Sequence, residues 1–89
     1  MTHRTFGRFW VYYDALPVDT RELADKNYEL LKTDSYHPSL HFKKINRRNR
    51  TLWSVRVGEG YRAVAYEREK GVIAWFWIGT HAEYERIIK

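Results

Sequence analysis

Residues 53–84, WSVRVGEGYRAVAYEREKGVIAWFWIGTHAEY, decide the fold. Apolar and polar residues alternate along 53–57 and along 61–66, which predicts two strands that each have one polar face. Arg56 and Arg62 belong to these polar faces. A short turn with two glycines separates the strands, so we expect them to pair in antiparallel fashion.

The rest of this stretch predicts a buried strand and a short helix. A charged turn at 67–71 leads to residues 72–78, which are apolar on both faces. Such a strand is typical of the middle of a sheet that is covered on both sides. One face would consist of Val72, Ala74, Phe76 and Ile78, and the other of Ile73, Trp75 and Trp77. Thr80 and Glu83 have the spacing of a capping box, which predicts that a helix follows.

The N-terminal part of the chain predicts a helical hairpin. Apolar side chains recur every three or four positions along residues 5–16, and Pro17 ends this segment. A second helix is expected over residues 19–33, with Asp19 and Glu22 as its capping box.

A further strand is expected over residues 40–45, with His41 and Lys43 on its polar face. The polar loop at 46–50 would join it to the strand at 53–57. This order of elements predicts an α+β fold, in which an N-terminal helical hairpin packs on a four-stranded antiparallel sheet with a short C-terminal helix.

Composition limits the functions that the chain can have. At 89 residues we expect one domain, spanning 1–89. Sixteen Lys and Arg against eleven Asp and Glu give a net charge of +5, which favours a polyanionic partner over an ordinary basic domain. No cysteine is present, and the histidines lack metal-ligand spacing, so we expect no metal and no cofactor. No apolar run is long enough to span a membrane, which predicts a cytoplasmic protein.

The available residue types suit cleavage of RNA by its own 2′-hydroxyl. That reaction needs a base for the hydroxyl proton, cations for the charge of the phosphorane and an acid for the leaving 5′-oxygen. Arg, Lys, His and Tyr side chains can supply these roles, whereas no nucleophile elbow and no phosphate-binding glycine loop is present.

Two motifs carry a resemblance to a known family. Residues 56–62 read R-x-G-x-G-Y-R, and residues 79–84 read G-x-H-x-x-Y, with segment 40–45 upstream fitting the same pattern. The chain thereby resembles the RelE/ParE superfamily of toxins from bacterial type II toxin–antitoxin systems. The resemblance implies an endoribonuclease that cuts mRNA on the ribosome, inhibits translation, and is held inactive in a hetero-oligomer with a cognate antitoxin.

The resemblance also implies roles for individual residues. Arg62 would bind the scissile phosphate, and Arg56 is the basic residue on the preceding strand. His81 and Tyr84 match the general acid and the base-stacking residue of the YoeB-like branch. The carboxylate base of that branch has no clear counterpart here; His41 and Ser39 lie nearest to its place in the sequence, and our candidate for the base is His41. We expect RNA contacts from the basic residues Lys43, Lys44, Arg47, Arg48 and Arg50.

Each assignment has an alternative. Arg62 could instead pair with Glu83 or Glu85, Tyr84 could be a core residue, and His81 could be a plain surface residue. The arginines of the loop at 46–50 could equally form a solvated tip that contacts no phosphate. At the level of function, a ParE-like toxin that blocks DNA gyrase would need no acid–base residues. A non-catalytic RNA-binding module is the third interpretation.

Overall fold

The chain forms five strands and three α-helices in a computed structural model, which describes residues 1–47 and 49–89. The elements are β1 (Thr2–Thr5), α1 (Gly7–Asp14), α2 (Val18–Thr33), a 3₁₀ turn (Pro38–Leu40), β2 (Lys43–Arg47), β3 (Arg50–Val57), β4 (Tyr61–Glu69), β5 (Val72–Thr80) and α3 (His81–Ile87). The strand order is β1-β5-β4-β3-β2. The predicted α+β class, with its helical hairpin and C-terminal helix, is confirmed. The sheet has five strands rather than four, because β1 pairs with β5 in parallel.

β1 is the strand that the sequence patterns do not reveal. Its residues are THRT, and their burial alternates only between exposed and half-buried. A polar tetrapeptide has no apolar periodicity, so its structure depends on the free edge of β5. The amide of Phe6, just after β1, donates to the carbonyl of Trp75 at 2.9 Å. The first helix therefore starts at Gly7, two residues later than expected.

The sheet is covered on both faces. On the hairpin face, α1 and α2 pack over a core formed by Phe9, Leu16, Leu31, Leu40, Phe42, Trp53, Val55, Val57, Ala63, Ala65, Ile73, Trp75 and Ile78. On the α3 face, the core consists of Ile45, Leu52, Val64, Phe76, Trp77 and Tyr84. Residues 73–79 of β5 are buried throughout, as expected for a strand inside the sheet. No helix of the described residues is both long and apolar enough to cross a bilayer.

A β-bulge in β5 changes which side chains share a face. One step along β4 corresponds to the two steps from Trp75 to Trp77, so Phe76 is the extra residue. Phe76 and Trp77 consequently both lie on the α3 face, and Ile78 lies with Trp75 on the hairpin face. The prediction from strict alternation placed Trp77 with Trp75 and Ile78 with Phe76. It is wrong for these two residues because of the bulge.

The two expected capping boxes have different outcomes. α2 begins after Pro17 without a side-chain cap, so the capping box of Asp19 and Glu22 is wrong. The box at the start of α3 is confirmed. The Thr80 hydroxyl accepts from the amide of Glu83 at 3.2 Å, and the Glu83 carboxylate accepts from the amide of Thr80 at 3.0 Å.

β2 begins three residues later than expected. Pro38–Leu40 forms a 3₁₀ turn, and His41 has a φ of 47°, in the left-handed region that is unusual for a side-chain-bearing residue. The strand therefore starts at Lys43. It continues to Arg47, and β3 starts at Arg50, so most of the expected loop is strand.

Gly79 allows β5 and α3 to approach each other closely. A Cβ at this position would lie 2.5 Å from Cζ2 of Trp77 and 2.9 Å from Oε1 of Glu83. We expect Gly79→Ala to lower the free energy of unfolding by about 1–3 kcal/mol, because the indole has to shift within a packed core. The control is Gly60→Ala, where a Cβ would meet nothing within 4 Å. Equal effects of the two substitutions in urea denaturation would contradict this account.

Glu67 joins β4 to β3 and to the turn before β5. Its carboxylate accepts from Nε1 of Trp53 at 2.7 Å and from the amide of Gly71 at 3.3 Å. The bond from Trp53, and secondarily that from Gly71, holds the pKa of Glu67 below its usual value of 4.5. Since the folded pKa is the lower one, this stabilisation is present above pH 4.5 and is lost as the pH falls through the folded pKa.

We therefore expect Glu67→Gln to be less stable than the wild type at neutral pH, and we expect this difference to shrink as the pH falls below 4.5. Urea denaturation over a series of pH values measures the difference. Glu22→Gln, which changes an exposed residue of α2, is the control. The same pH-dependent difference in the control would assign the effect to net charge rather than to the two hydrogen bonds.

Candidate functional site

Arg56 and Arg62 lie directly opposite each other on the α3 face. The register of β3 and β4 pairs them, and side chains of such a pair point to the same side with Cβ atoms about 4.5–5.5 Å apart. Both are half-buried. Nε of Arg56 donates to the carbonyl of Gly58 at 3.1 Å, and Nη1 of Arg62 donates to that of Tyr61 at 2.8 Å. Backbone carbonyls thus orient both guanidiniums.

No carboxylate neutralises this arginine pair within the part of the chain that the structure describes. The salt bridges formed there involve neither arginine. Like charges directly opposite each other destabilise a sheet, so the pair is less unfavourable when an anion lies between the two side chains. The alternative pairing of Arg62 with Glu83 or Glu85 is not formed. Glu83 instead accepts hydrogen bonds from Thr80.

The strand residues around the pair make this face strongly basic. Lys43 of β2 is paired with Ser54 of β3, which lies two residues before Arg56. Lys43 is therefore a diagonal neighbour of Arg56 on the same face of the sheet. Alternation and contacts place seven basic side chains on the α3 face of the strands: Arg4, Lys43, Arg47, Arg50, Arg56, Arg62 and Arg68. Glu69, the last residue of β4, is the acidic member of this face among the described strand residues. An anionic ligand is therefore attracted to it.

His81 starts α3 beside the arginine pair. Its amide donates to the carbonyl of Gly60 at 2.9 Å, which ties the helix to the turn between β3 and β4. The imidazole is 47 % exposed, and its Nε2 lies 3.7 Å from Oε1 of Glu85. At this distance the carboxylate attracts the imidazole when it is charged but does not hydrogen-bond to it. Glu85 was not among the predicted site residues, although its i,i+4 spacing from His81 on a helix was the available signal.

Tyr84 lies below His81 and is buried, with 4 % of its surface exposed. The two rings stack with centroids 5.7 Å apart. The Tyr84 hydroxyl lies 3.2 Å from Oγ of Ser54, which is 1 % exposed. This geometry favours the alternative that Tyr84 is a core residue, and its role in base stacking stays a prediction. The burial of Ser54 was not predicted, because the alternation of residues 53–57 places it on the polar face of the strand together with Arg56.

His41, the candidate base, lies outside this cluster. It is exposed in the turn before β2, and no hydrogen bond of the described residues joins it to Arg56, Arg62 or His81. It does lie two residues before Lys43, at the end of the sheet where Arg56 is found. Among the described residues, no three His, Asp or Glu side chains are arranged to hold a metal ion.

The predicted RNA-contacting residues divide between the two faces of the sheet. Lys44 points to the face covered by α1 and α2, where its ammonium lies 5.8 Å from the ring centre of Trp53. Nε of Arg47 donates to the carbonyl of Ile88 at 2.9 Å, so it fastens the end of α3. Arg50 is exposed and pairs with Arg47, whereas Arg48 lies outside the described residues.

The buried hydroxyl pair tests what Tyr84 contributes. Tyr84→Phe leaves Oγ of Ser54 buried without its partner, and we expect it to lower the free energy of unfolding by about 1–3 kcal/mol. Ser54→Ala should cost a similar amount. The double variant should cost less than the sum, because it leaves no buried group unsatisfied. Additive losses in urea denaturation would show that the hydroxyls are not coupled.

Comparison with known proteins agrees with this architecture. A model of the ParE-like toxin domain matches residues 20–86, which is most of the chain. A chain of the archaeal RelE–RelB complex from Pyrococcus horikoshii OT3 has the same fold, with a TM-score of 0.66 and 14% identity over 89% of this chain and 92% of that one.

The isolated E. coli RelE toxin superposes with a TM-score of 0.62 and 14% identity over 97% of this chain and 94% of that one. No curated protein matches the sequence significantly. At this identity the structural likeness establishes the fold, and the domain match establishes the family. The chain therefore belongs to the ParE-like toxin domain family, within the RelE/ParE superfamily of toxins.

Proposed function

We propose that this protein is the toxin of a type II toxin–antitoxin module and acts as an mRNA endoribonuclease that inhibits translation. The observation that carries the proposal is the arginine pair on the α3 face. Arg56 and Arg62 are paired across two strands, half-buried and without a carboxylate partner among the described residues. Two oriented guanidiniums match the geometry of phosphate oxygens, which they bind through charge-assisted hydrogen bonds.

The proposed reaction removes one proton from the 2′-hydroxyl of the RNA and delivers one proton to the leaving 5′-oxygen. A base removes the proton from the 2′-hydroxyl of the RNA, and the resulting oxygen attacks the adjacent phosphorus. The bond from phosphorus to the 5′-oxygen breaks, and the leaving oxygen takes a proton from an acid. The products are a 2′,3′-cyclic phosphate and a 5′-hydroxyl, so neither water nor a metal is needed in this step.

The residues of the site have separate roles in this step. Arg62 and Arg56 bind the non-bridging oxygens and stabilise the extra charge of the phosphorane, and Lys43 adds to the positive field. His81 is the proposed acid, because its half-exposed imidazole starts α3, whose first amide is bonded to the turn between Arg56 and Arg62. His41 remains our candidate for the base. It needs the turn before β2 to move toward Arg56 when RNA binds.

The basic residues of the β2–β3 hairpin would contact the RNA backbone outside the scissile phosphate. These residues are Lys43, Lys44, Arg47, Arg48 and Arg50. Phosphate contacts of this kind position the strand without reading its sequence. Since mRNA on the ribosome is the proposed substrate, we place the protein in the cytoplasm.

A cognate antitoxin is the proposed protein partner. The archaeal neighbour was solved as a RelE–RelB complex, which supports a hetero-oligomer here. α1 leaves Trp10, Val11 and Tyr12 exposed by 45%, 70% and 43%, a patch that suits an apolar segment of a partner. The net charge of +5 additionally favours an acidic antitoxin.

Cleavage of mRNA in a reconstituted translation system tests the activity. We expect Arg62→Ala and His81→Ala each to reduce the cleavage rate by about 100-fold or more, because one removes charge stabilisation and the other the acid. Arg62→Ala should not lower the free energy of unfolding, since it relieves a like-charge contact. The matched control is Lys26→Ala on α2, which should cleave as the wild type does. Intact transcripts with the wild-type protein would refute the nuclease.

The match to the ParE-like toxin domain favours a second candidate, inhibition of DNA gyrase. This function depends on binding alone, so it does not need His81. Inhibition of gyrase supercoiling by both the wild type and His81→Ala, with no RNA cleavage by either, would decide for it. Salt-dependent RNA binding without cleavage or gyrase inhibition would instead indicate a non-catalytic RNA-binding module.

A further inference from the structure

A second basic surface lies on the α3 face, at the opposite end of β4 from Arg62. We call it the arginine–aromatic surface. It is formed by the end of β1, the start of α1 and the facing parts of β4 and β5, and its members are Arg4, Phe6, Arg8, Tyr66, Arg68 and Phe76. Arg4 and Arg68 belong to the basic strand face described above, but no member of this surface has a role at the arginine pair itself.

Aromatic rings form the base of this surface. Tyr66 stacks on Phe76 with ring centroids 4.2 Å apart and planes inclined by 19°. Phe6 meets the edge of Tyr66 at 6.4 Å. Phe76 is buried, whereas Phe6 and Tyr66 are half-buried.

Two exposed arginines lie over these rings. The guanidinium carbon of Arg8 is 5.2 Å from the ring centre of Phe76, and that of Arg68 is 5.6 Å from the ring centre of Phe6. Neither arginine takes part in a salt bridge between described residues, although Glu69 follows Arg68 in the chain. A guanidinium that rests on a ring keeps its outer face open, and nucleic-acid bases stack on such planes.

The surface is within reach of an RNA strand bound at the arginine pair. Arg62 and Tyr66 are four residues apart on one face of β4, which corresponds to about 13 Å along the strand. This is the length of about four stacked nucleotides at about 3.4 Å each. α3 crosses the face from Gly60 to the β2–β3 hairpin, so the arginine–aromatic surface lies along its flank.

We propose that the arginine–aromatic surface binds the single-stranded RNA next to the cleaved phosphodiester. Bases stack on the guanidiniums of Arg8 and Arg68, and the same arginines, together with Arg4, contact phosphates. Rings combined with cations fit a single nucleic-acid strand, which offers a π-face and a negative charge at every nucleotide. The inference rests on the proposed function, because RNA has to be the ligand of the first site.

Binding of a fluorescently labelled 2′-O-methyl oligoribonucleotide of about 12 nucleotides tests the inference, since this probe spans such a site and cannot be cleaved. We expect Arg8→Gln/Arg68→Gln to weaken binding by about tenfold. The log–log dependence of affinity on salt should also become shallower by about 1.4, as for two lost phosphate contacts to a single strand. A labelled dinucleotide should bind the variant and the wild type equally.

Two further variants separate charge from stacking. Lys26→Gln/Lys32→Gln removes two exposed charges from α2, on the other side of the sheet, and should change the affinity less than about twofold. Arg8→Lys/Arg68→Lys should keep the salt dependence and lose part of the affinity, because an ammonium cannot stack on a base. Urea denaturation establishes that each variant is folded.

The outcomes distinguish this inference from the proposed function. If the wild type binds the probe and Arg62→Ala weakens it, but Arg8→Gln/Arg68→Gln behaves as the lysine control does, the inference alone is overturned. If the wild type cleaves RNA only in the translation system, Arg8→Gln/Arg68→Gln is compared with the wild type in that system. An unchanged kcat/KM for cleavage by this variant then overturns the inference. Loss of antitoxin affinity with intact RNA affinity would show a protein-docking surface instead. If the wild type neither binds the probe nor cleaves RNA, both the proposed function and this inference are refuted.

Discussion

The apolar character of β5 on both faces is the constraint on which the rest of the structure depends. Residues 73–79 are buried, and a strand of this kind requires cover on each side of the sheet. α1 and α2 supply it on one side, and α3 supplies it on the other. Because α3 follows β5 directly, the same requirement places His81 next to the turn between β3 and β4, and thus beside Arg56 and Arg62.

The arginine pair illustrates how a site can oppose the stability of its scaffold. The sheet pairs two cations, and backbone carbonyls hold each guanidinium in place. Folding gains nothing from bringing these charges together, whereas an anion gains from finding them already oriented. The buried hydroxyls of Tyr84 and Ser54 lie next to this pair and make a different contribution, because they satisfy each other inside the core.

The strands at 53–57 and 61–66 were predictable because their alternation of apolar and polar residues determines both structure and burial, and the strand at 72–78 was predictable because it is apolar throughout. β1 was not predictable, since THRT carries no apolar pattern and its pairing depends on the edge of β5. The bulge at Phe76 was also invisible, because a continuous apolar run satisfies either face equally well.

For the candidate site, the motifs drew attention to Arg56, Arg62 and His81, and the strand register shows that the two arginines lie opposite each other. The surface around Arg8 and Arg68 combines residues from distant parts of the chain, so no local pattern could reveal it. Glu85 was recognisable in the sequence, because the predicted C-terminal helix places it one turn from His81.

The two outer strands of the sheet have a further consequence. β1 has only four polar residues, and β2 carries Lys43, Lys44 and Arg47 on an exposed strand. Short edges and edges rich in cations disfavour strand pairing between molecules, because the second copy would bring like charges together or find too few backbone groups. The short polar sequence that makes β1 hard to predict thus also helps to protect the sheet, with its aromatic-rich core, from edge-to-edge aggregation.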